Sequence, residues 1–220
     1  MTQEELIAIF RRDTDDLAAP YLSSDASIIQ WLAEAEHEAC IRARLIHDVS
    51  TPSVCRINVI APSSTYNLHP SILDITRAAF TATGSTTSTV LYLTDTIEQD
   101  RRFPDWRTTI DTPRQAIQTD TQLRLCCIPG NDGVIALEAY RLPLSDPDDS
   151  WEPEIASIHH RHLIQWALYR CYNRPDTEVA DQRKADIAIS EFTRVFGIRP
   201  ETNMRRDSQA NRPLFNKAVW

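Results

Sequence analysis

Three histidines in four residues, His159-His160-Arg161-His162, are the densest group of reactive side chains in the chain. His159 and His162 stand three apart, so on a helix they share a face and offer two imidazoles to a metal. A metal-dependent hydrolase using His159 and His162 is one reading. Zinc takes four ligands, however, and neither His-Glu-x-x-His spacing nor a second ligand pair accompanies them. His162 also falls on an apolar stripe beside Trp166, which reads as packing. His37 and Cys40 share a face of another helical stretch without a completing pair. Cys126 and Cys127 are neighbours on a strand-like stretch, so they point to opposite faces and cannot hold one ion together. Asp146-Pro147-Asp148-Asp149 sits in a proline-punctuated linker and reads as a solvated turn. No nucleophile elbow, phosphate loop or dinucleotide fingerprint occurs, and four glycines leave little from which to build one. The expectation is a protein that is not an enzyme, with no catalytic residue, no metal site and no cofactor.

The elements that would position these residues come in three blocks. Residues 2–17 read as a helix with Leu6, Ile9, Phe10 and Leu17 on one face, ended by Pro20. A second helix starts at Ser24-Asp25, with Ser24 as N-cap, and runs to about His47 on Ile28, Leu32, Ala35, Ala39 and Ile46. Glu38 and Arg42 form an i,i+4 pair within it in the favourable order. Between Pro52 and Trp151 the period becomes two. Cys55, Ile57 and Val59 alternate with polar residues, Leu73, Ile75, Arg77 and Ala79 line one face, and 89–93 is a short apolar run. Residues 122–128 and 134–141, joined by Pro129-Gly130-Asn131-Asp132-Gly133, read as a hairpin. A short helix or turn falls at 95–102. Helical spacing returns with Pro153 in a first turn, then Ile155, Ile158, His162, Trp166 and Tyr169 up to Asn173-Arg174-Pro175. Asp176 caps a last helix carrying Ala185, Ala188, Ile189, Phe192 and Phe196, which stops at Gly197 before Pro200.

The expected fold class is therefore α+β: a helical bundle of two helix pairs, a β-rich insertion between them, and an extended C-terminal arm. The domain boundaries are 1–51 for the first pair, 52–151 for the insertion, 152–197 for the second pair packing with 1–51, and 198–220 for the arm. The five cysteines are odd in number and scattered through apolar stretches, as buried thiols of a reducing cytosol would be. No apolar run of membrane length occurs, and the acidic N-terminus does not read as a signal peptide.

Charge and apolarity are both concentrated at the end. The chain carries 23 basic and 31 acidic residues, a net charge of −8. Arg199, Arg205, Arg206, Arg212 and Lys217 stand against Glu201 and Asp207 in residues 198–220, so the arm is +3 and the rest −11. An acidic body argues against a general nucleic-acid binder, although a DNA-binding regulatory protein with a basic tail is the second alternative. The arm also keeps Met204, Leu214, Phe215, Val219 and Trp220. A disordered tail is normally poor in such residues, because nothing offsets their exposure to water. The pattern reads as a docking arm that buries them on a partner with an acidic surface. Its binding residues would be Arg199, Arg205, Arg206, Arg212, Leu214, Phe215, Lys217 and Trp220.

Pieces dispersed over nearly the whole length carry a resemblance. They are Arg12-Asp13-x-x-Asp16, Pro20-Tyr21-Leu22-x-Ser24-Asp25 and Trp31-Leu32-x-Glu34-Ala35-x-x-Glu38-Ala39-x-x-Arg42-Ala43-Arg44. Tyr66-x-Leu68, Pro104-x-Trp106, Tyr140-Arg141-Leu142-Pro143 and Pro153-Glu154-Ile155 follow, then His159, Leu163-x-x-Trp166-Ala167, Asp176-x-Glu178, Phe192 and Phe196-Gly197. In order and spacing the chain resembles the adaptor, or head-to-tail connector, proteins of short-tailed bacteriophages. It departs at Pro62-Ser63-Ser64-Thr65, where the family often has a glycine, and at Ala33, where asparagine is common. The resemblance implies a structural virion protein at the head-tail interface, made in the host bacterial cytoplasm. It implies a ring of this chain, typically of twelve copies, joined to the portal protein through the C-terminal arm and to tail or nozzle proteins through the β part. Genomic DNA would pass through the ring without sequence-specific binding, and no membrane is implied. Fully extended, the 23-residue arm reaches roughly 75–80 Å, enough to cross a neighbouring subunit.

Overall fold

The computed structural model describes residues 1–148, 150–174 and 180–200. In chain order they form α1 (Gln3–Asp13), α2 (Asp25–Ala43), β1 (Ile46–Asp48), α3 (Pro52–Cys55), β2 (Arg56–Val59), β3 (Thr65–Asn67), β4 (Ile72–Ala82), β5 (Ser88–Leu93), α4 (Thr96–Arg102), β6 (Ile110–Asp111), β7 (Gln115–Gln118), β8 (Gln122–Leu125), β9 (Ile128–Pro129), β10 (Gly133–Arg141), α5 (Ser157–Tyr172) and α6 (Gln182–Phe196). The chain is mixed α+β and divides into two compact units. One comprises Met1–Ile46 and Arg141–Arg199, and the other contains His47–Tyr140.

The helical unit gathers α1, α2, α5 and α6 around one apolar core, with Leu6, Phe10, Ile28, Leu32, Leu163, Ile164 and Phe192 at its centre. Thr2 and Glu5 close a capping box at the start of α1. This helix stops at Asp13, short of the expected Leu17. Thr14 Oγ1 donates to the Phe10 carbonyl at 3.0 Å, Asp15 turns left-handed at φ 58°, and the Asp16 N–H returns to the Arg11 carbonyl at 2.9 Å. Leu17 is consequently exposed and not part of the buried face. Ser24 caps α2 as expected, accepting from the Ser27 N–H at 3.2 Å. That helix ends at Ala43 because Arg44 adopts φ 52°, which sends Ile46 into a strand.

The second half of the unit departs further from expectation. Pro153 is not in a first helical turn; α5 begins at Ser157, after a segment held by backbone bonds to a buried carboxylate described below. The buried stripe of α5 is His160, Leu163, Ile164, Ala167, Leu168 and Cys171. Ile158 is exposed, and His162, Trp166 and Tyr169 are only half-buried. The stripe is turned because α5 packs on α1 and α2 as well as on α6, and its Trp166 stacks against Phe192 of α6. The cap of α6 is Asp181, whose carboxylate accepts the Arg183 and Lys184 N–H groups; the expected Asp176 lies outside the described residues. The apolar face of α6 is as expected, with Ala185, Ala188, Phe192 and Phe196 buried and Ile189 half-buried.

The β-rich unit holds an eight-stranded sheet in the order β1-β10-β4-β5-β7-β8-β3, with β2 also paired to β10. Its core is apolar, with Val54, Ile75, Phe80, Leu91, Leu123, Leu125, Ile135 and Leu137 among its members. On β10 the alternation is regular, and Ile135, Leu137 and Ala139 face inward. The expected hairpin between 122–128 and 134–141 does not form. β8 pairs with β7 and β3, whereas β10 pairs antiparallel with β2, matching Ile135 to Ile57, and also neighbours β4. The intervening residues are drawn elsewhere: β9 pairs parallel with β6, and the Asp132 carboxylate accepts the Ala61 N–H at 2.8 Å. Gly133 does not serve a hairpin turn. A Cβ there would lie 2.6 Å from Phe80 Cε2 on β4, so glycine is required by close approach. On β4 the two-residue period breaks: Ala78, Ala79 and Phe80 are all buried, while Arg77 is exposed. Cys55 closes the one-turn α3, and Cys126 and Cys127 lie between strands, not within one.

Candidate functional site

The expected arm leaves the helical unit at the end of α6, and its root is built by α2. Gly197 ends α6 with φ 83° and ψ 179°, a conformation that side chains exclude, and its N–H reaches the Thr193 carbonyl at 2.8 Å. A helix C-terminus leaves carbonyls without intrahelical donors. Here the donor comes from Arg42 in the last turn of α2. Its Nη1 donates to the Gly197 carbonyl at 3.1 Å and to Thr193 Oγ1 at 3.0 Å. Its Nε donates to Glu38 Oε1 at 2.8 Å. The guanidinium carbon also lies 5.1 Å from the Phe192 ring centroid and 5.8 Å from that of Trp166. Glu38 Oε2 faces Arg199 Nη1 at 3.4 Å, so one carboxylate serves two guanidinium groups. The Glu38 and Arg42 side chains are less than a tenth exposed, while Arg199 is largely in solvent.

Arg199 is the only proposed arm residue among those described. Arg205, Arg206, Arg212, Leu214, Phe215, Lys217 and Trp220 lie outside them.

The histidine cluster is split by the helix. His159 and His162 both flank the Phe196 ring, at centroid distances of 5.8 and 6.4 Å. Burial, and then the charges of His162 and His160, lower the pKa of His159. His160 is turned into the core, where Nε2 donates to the Ile155 carbonyl at 2.8 Å and Nδ1 accepts from the Met1 amine at 3.0 Å. Among the described residues, no group of three His, Cys, Asp or Glu side chains is placed to hold a metal. All five cysteines are free and buried. Burial raises Cys40 and Cys126 to about 12 and Cys127 to about 11, with Glu36 and Glu154 adding to the first, the Cys127 thiol to the second and Asp111 to the third. Such thiols carry almost no thiolate at neutral pH.

A cavity of about 410 Å³ lies within the β-rich unit, lined by Gln99, Phe103, Trp106, Arg114, Cys126 and Cys127 among others. Its lining includes Arg102 and Arg114 but also Asp105 and Asp111, so it presents no single sign of charge.

The family profile described as SU10 adaptor protein matches residues 1–214, nearly the whole chain. The chain belongs to the SU10 adaptor protein family. This is a family of phage head-tail adaptors. No curated protein matches the chain. Of the residues that carried the resemblance, the apolar ones of the helices fill the adaptor's helical core and several others hold turns. Asp16 pairs with Arg11 at 3.1 Å, not with Arg12, and accepts the Leu22 and Ser23 N–H groups that open the way to α2. Trp106 lies between the Arg107 and Arg124 guanidinium groups and donates from Nε1 to Asp100 at 2.7 Å. Tyr66 donates its hydroxyl to the Ser63 carbonyl. Arg141 and Glu154 form an ion pair linking the end of β10 to the segment before α5.

One polar group of the adaptor was not singled out from sequence. Glu36 is fully buried in α2, and its Oε1 accepts the N–H groups of Glu154 at 2.5 Å and Ile155 at 3.0 Å. Its Oε2 has no partner. Burial raises its pKa to about 7, opposed by those two backbone bonds and assisted by the Glu154 charge. An i,i+2 relation to Glu34 and Glu38 gives no sign that, of the three, Glu36 is the one fully enclosed. No helix among the described residues is long and apolar enough to cross a membrane.

Proposed function

We propose that this adaptor is a structural, non-enzymatic virion protein that forms a ring at the head-tail interface and joins the portal protein to the tail. The family match over residues 1–214 carries the reading. In it, the helical unit makes the ring contacts, the β-rich unit meets tail or nozzle proteins, and residues 198–220 dock on the portal. Twelve copies is the number the resemblance implies. Genomic DNA passes through the ring, and the net charge of −11 outside the arm favours passage over adhesion, since like charges oppose phosphate binding. The basic and apolar composition of the arm supports portal docking, and so does its root, where two ties to α2 fix the last described residues.

The test is a chain lacking residues 201–220, which leaves the root intact. Its thermal unfolding should match that of the full chain, and its binding to purified portal, measured by calorimetry, should vanish. Alanine at Phe215 and Trp220 should account for much of that loss, because aromatic anchors often dominate interfaces. Undiminished binding of the truncated chain would remove the docking role.

A further inference from the structure

We propose that the Glu38–Arg42 pair is a clamp that sets the direction of the C-terminal arm and holds Ile198 out as its first apolar contact with the portal. The inference rests on the docking role proposed above and adds a positioning device and a contact residue to it. Two consecutive ties come from one ion pair on a different helix. Arg42 holds the Gly197 carbonyl at 3.1 Å, and Glu38 holds Arg199 at 3.4 Å. Between them, Ile198 is 84% exposed, the most exposed large apolar side chain among the described residues. A hydrophobic residue following a glycine helix stop frequently folds back onto the helix it follows. Here the flanking residues are tied by polar bonds, and the apolar side chain faces water.

The ties are built to resist. Arg42 reaches three acceptors, on α2, on α6 and past the end of α6, which its rigid planar fork spans in a fixed geometry that a compact, rotating ammonium lacks. Its guanidinium is also stacked near two rings and almost shielded from solvent, so salt screens it weakly. A glycine stop alone would leave the following backbone free to rotate. With residues 197 and 199 referred to α2, the arm starts from a fixed direction, and less ordering remains to be done on binding.

Backbone ¹⁵N relaxation on the full chain tests the clamp. In the unmodified protein the Ile198 and Arg199 amides should show order parameters near ~0.85, as a rigid backbone does. In Glu38→Gln/Arg42→Leu, which removes both charges and leaves none buried alone, they should fall below ~0.6 while α2 and α6 keep their values. Portal affinity should weaken about tenfold in that variant, the scale of a lost pre-ordering step. Arg42→Lys, which keeps the charge but not the fork, should fall between the two on both measures. Ile198→Ser should weaken portal binding with no change in order parameters. Unchanged order parameters in the double variant, or unchanged affinity despite their fall, would overturn the clamp. Unchanged affinity of Ile198→Ser would overturn the contact. Loss of the docking role is read separately, from the chain lacking residues 201–220.

Discussion

The two units bury different things. Among the described residues, the helical unit encloses Arg11, Asp16, Ser23, Glu36, Glu38, Arg141 and His160, whereas the buried polar residues of the β-rich unit are Asp48, Ser71 and Gln99. A sheet obtains its register from backbone pairing and its face from alternation, as β10 does, and needs little else to define where each strand runs. Packed helices have no such ladder between them. Apolar faces alone permit sliding and rotation, and the segments entering and leaving the helices have backbone groups to satisfy. In this molecule those groups meet buried charges. Asp16 holds the turn into α2, Glu36 holds the approach to α5, and Arg42 holds the exit from α6. Polar burial in the helical unit thus marks where chain direction is decided.

The contrast can be broken most directly by removing one charge from its partner. Arg11→Met strands Asp16, which is only 5% exposed, and should cost about 3 kcal/mol in urea unfolding followed by circular dichroism. Ser71→Ala in the β-rich unit, which loses the bond to His69 Nδ1, should cost no more than about 1 kcal/mol. Equal losses would erase the distinction.

Glu36 gives a pH test of the same idea. Its pKa is raised from 4.5 to about 7 in the folded protein, so the folded state holds an extra proton between those values. Its contribution to stability is greatest below about pH 4.5 and declines as pH rises towards 7, by about 3 kcal/mol in all. Glu36→Gln keeps an acceptor for the two N–H groups and should remove this component of the slope, making the variant the more stable protein at pH 8. A variant whose stability falls with pH as steeply as the parent's would contradict the assignment.

Two glycines sharpen the comparison at smaller scale. Gly133→Ala in the β-rich unit meets the Phe80 ring and the Thr81 carbonyl and should cost ~1–3 kcal/mol through overpacking. Gly197→Ala in the helical unit meets nothing within 4 Å, and its cost, of order 1–3 kcal/mol, is conformational. Backbone amide mobility separates the two causes: only the second should loosen residues 197–199.

Local chemistry was legible in the sequence where a local cause decided the outcome. The Ser24 cap, the Glu38–Arg42 pair, the α6 face and the Gly197 stop all depend on residues within a turn of one another. Strand partners do not. The Pro129–Gly133 stretch has hairpin composition, yet β10 is claimed by β2 and β4, and the glycine answers to Phe80 on a strand some fifty residues away. The face of α5 misled for a related reason, since its apolar residues are shared among three packing partners and no single stripe describes them. Of the arm, composition gave the expectation of docking, and only Arg199 falls among the described residues. Arg42 was visible as one half of a helical pair; its hold on Gly197 depends on a contact 155 residues distant in sequence.

The five thiols share one consequence for the chemistry of the fold. Each is buried, and those of Cys40, Cys126 and Cys127 are pushed well above the ordinary thiol range. A thiol that is buried and protonated is a poor nucleophile, so none of these three invites disulfide exchange or capture of a soft metal while the fold is closed.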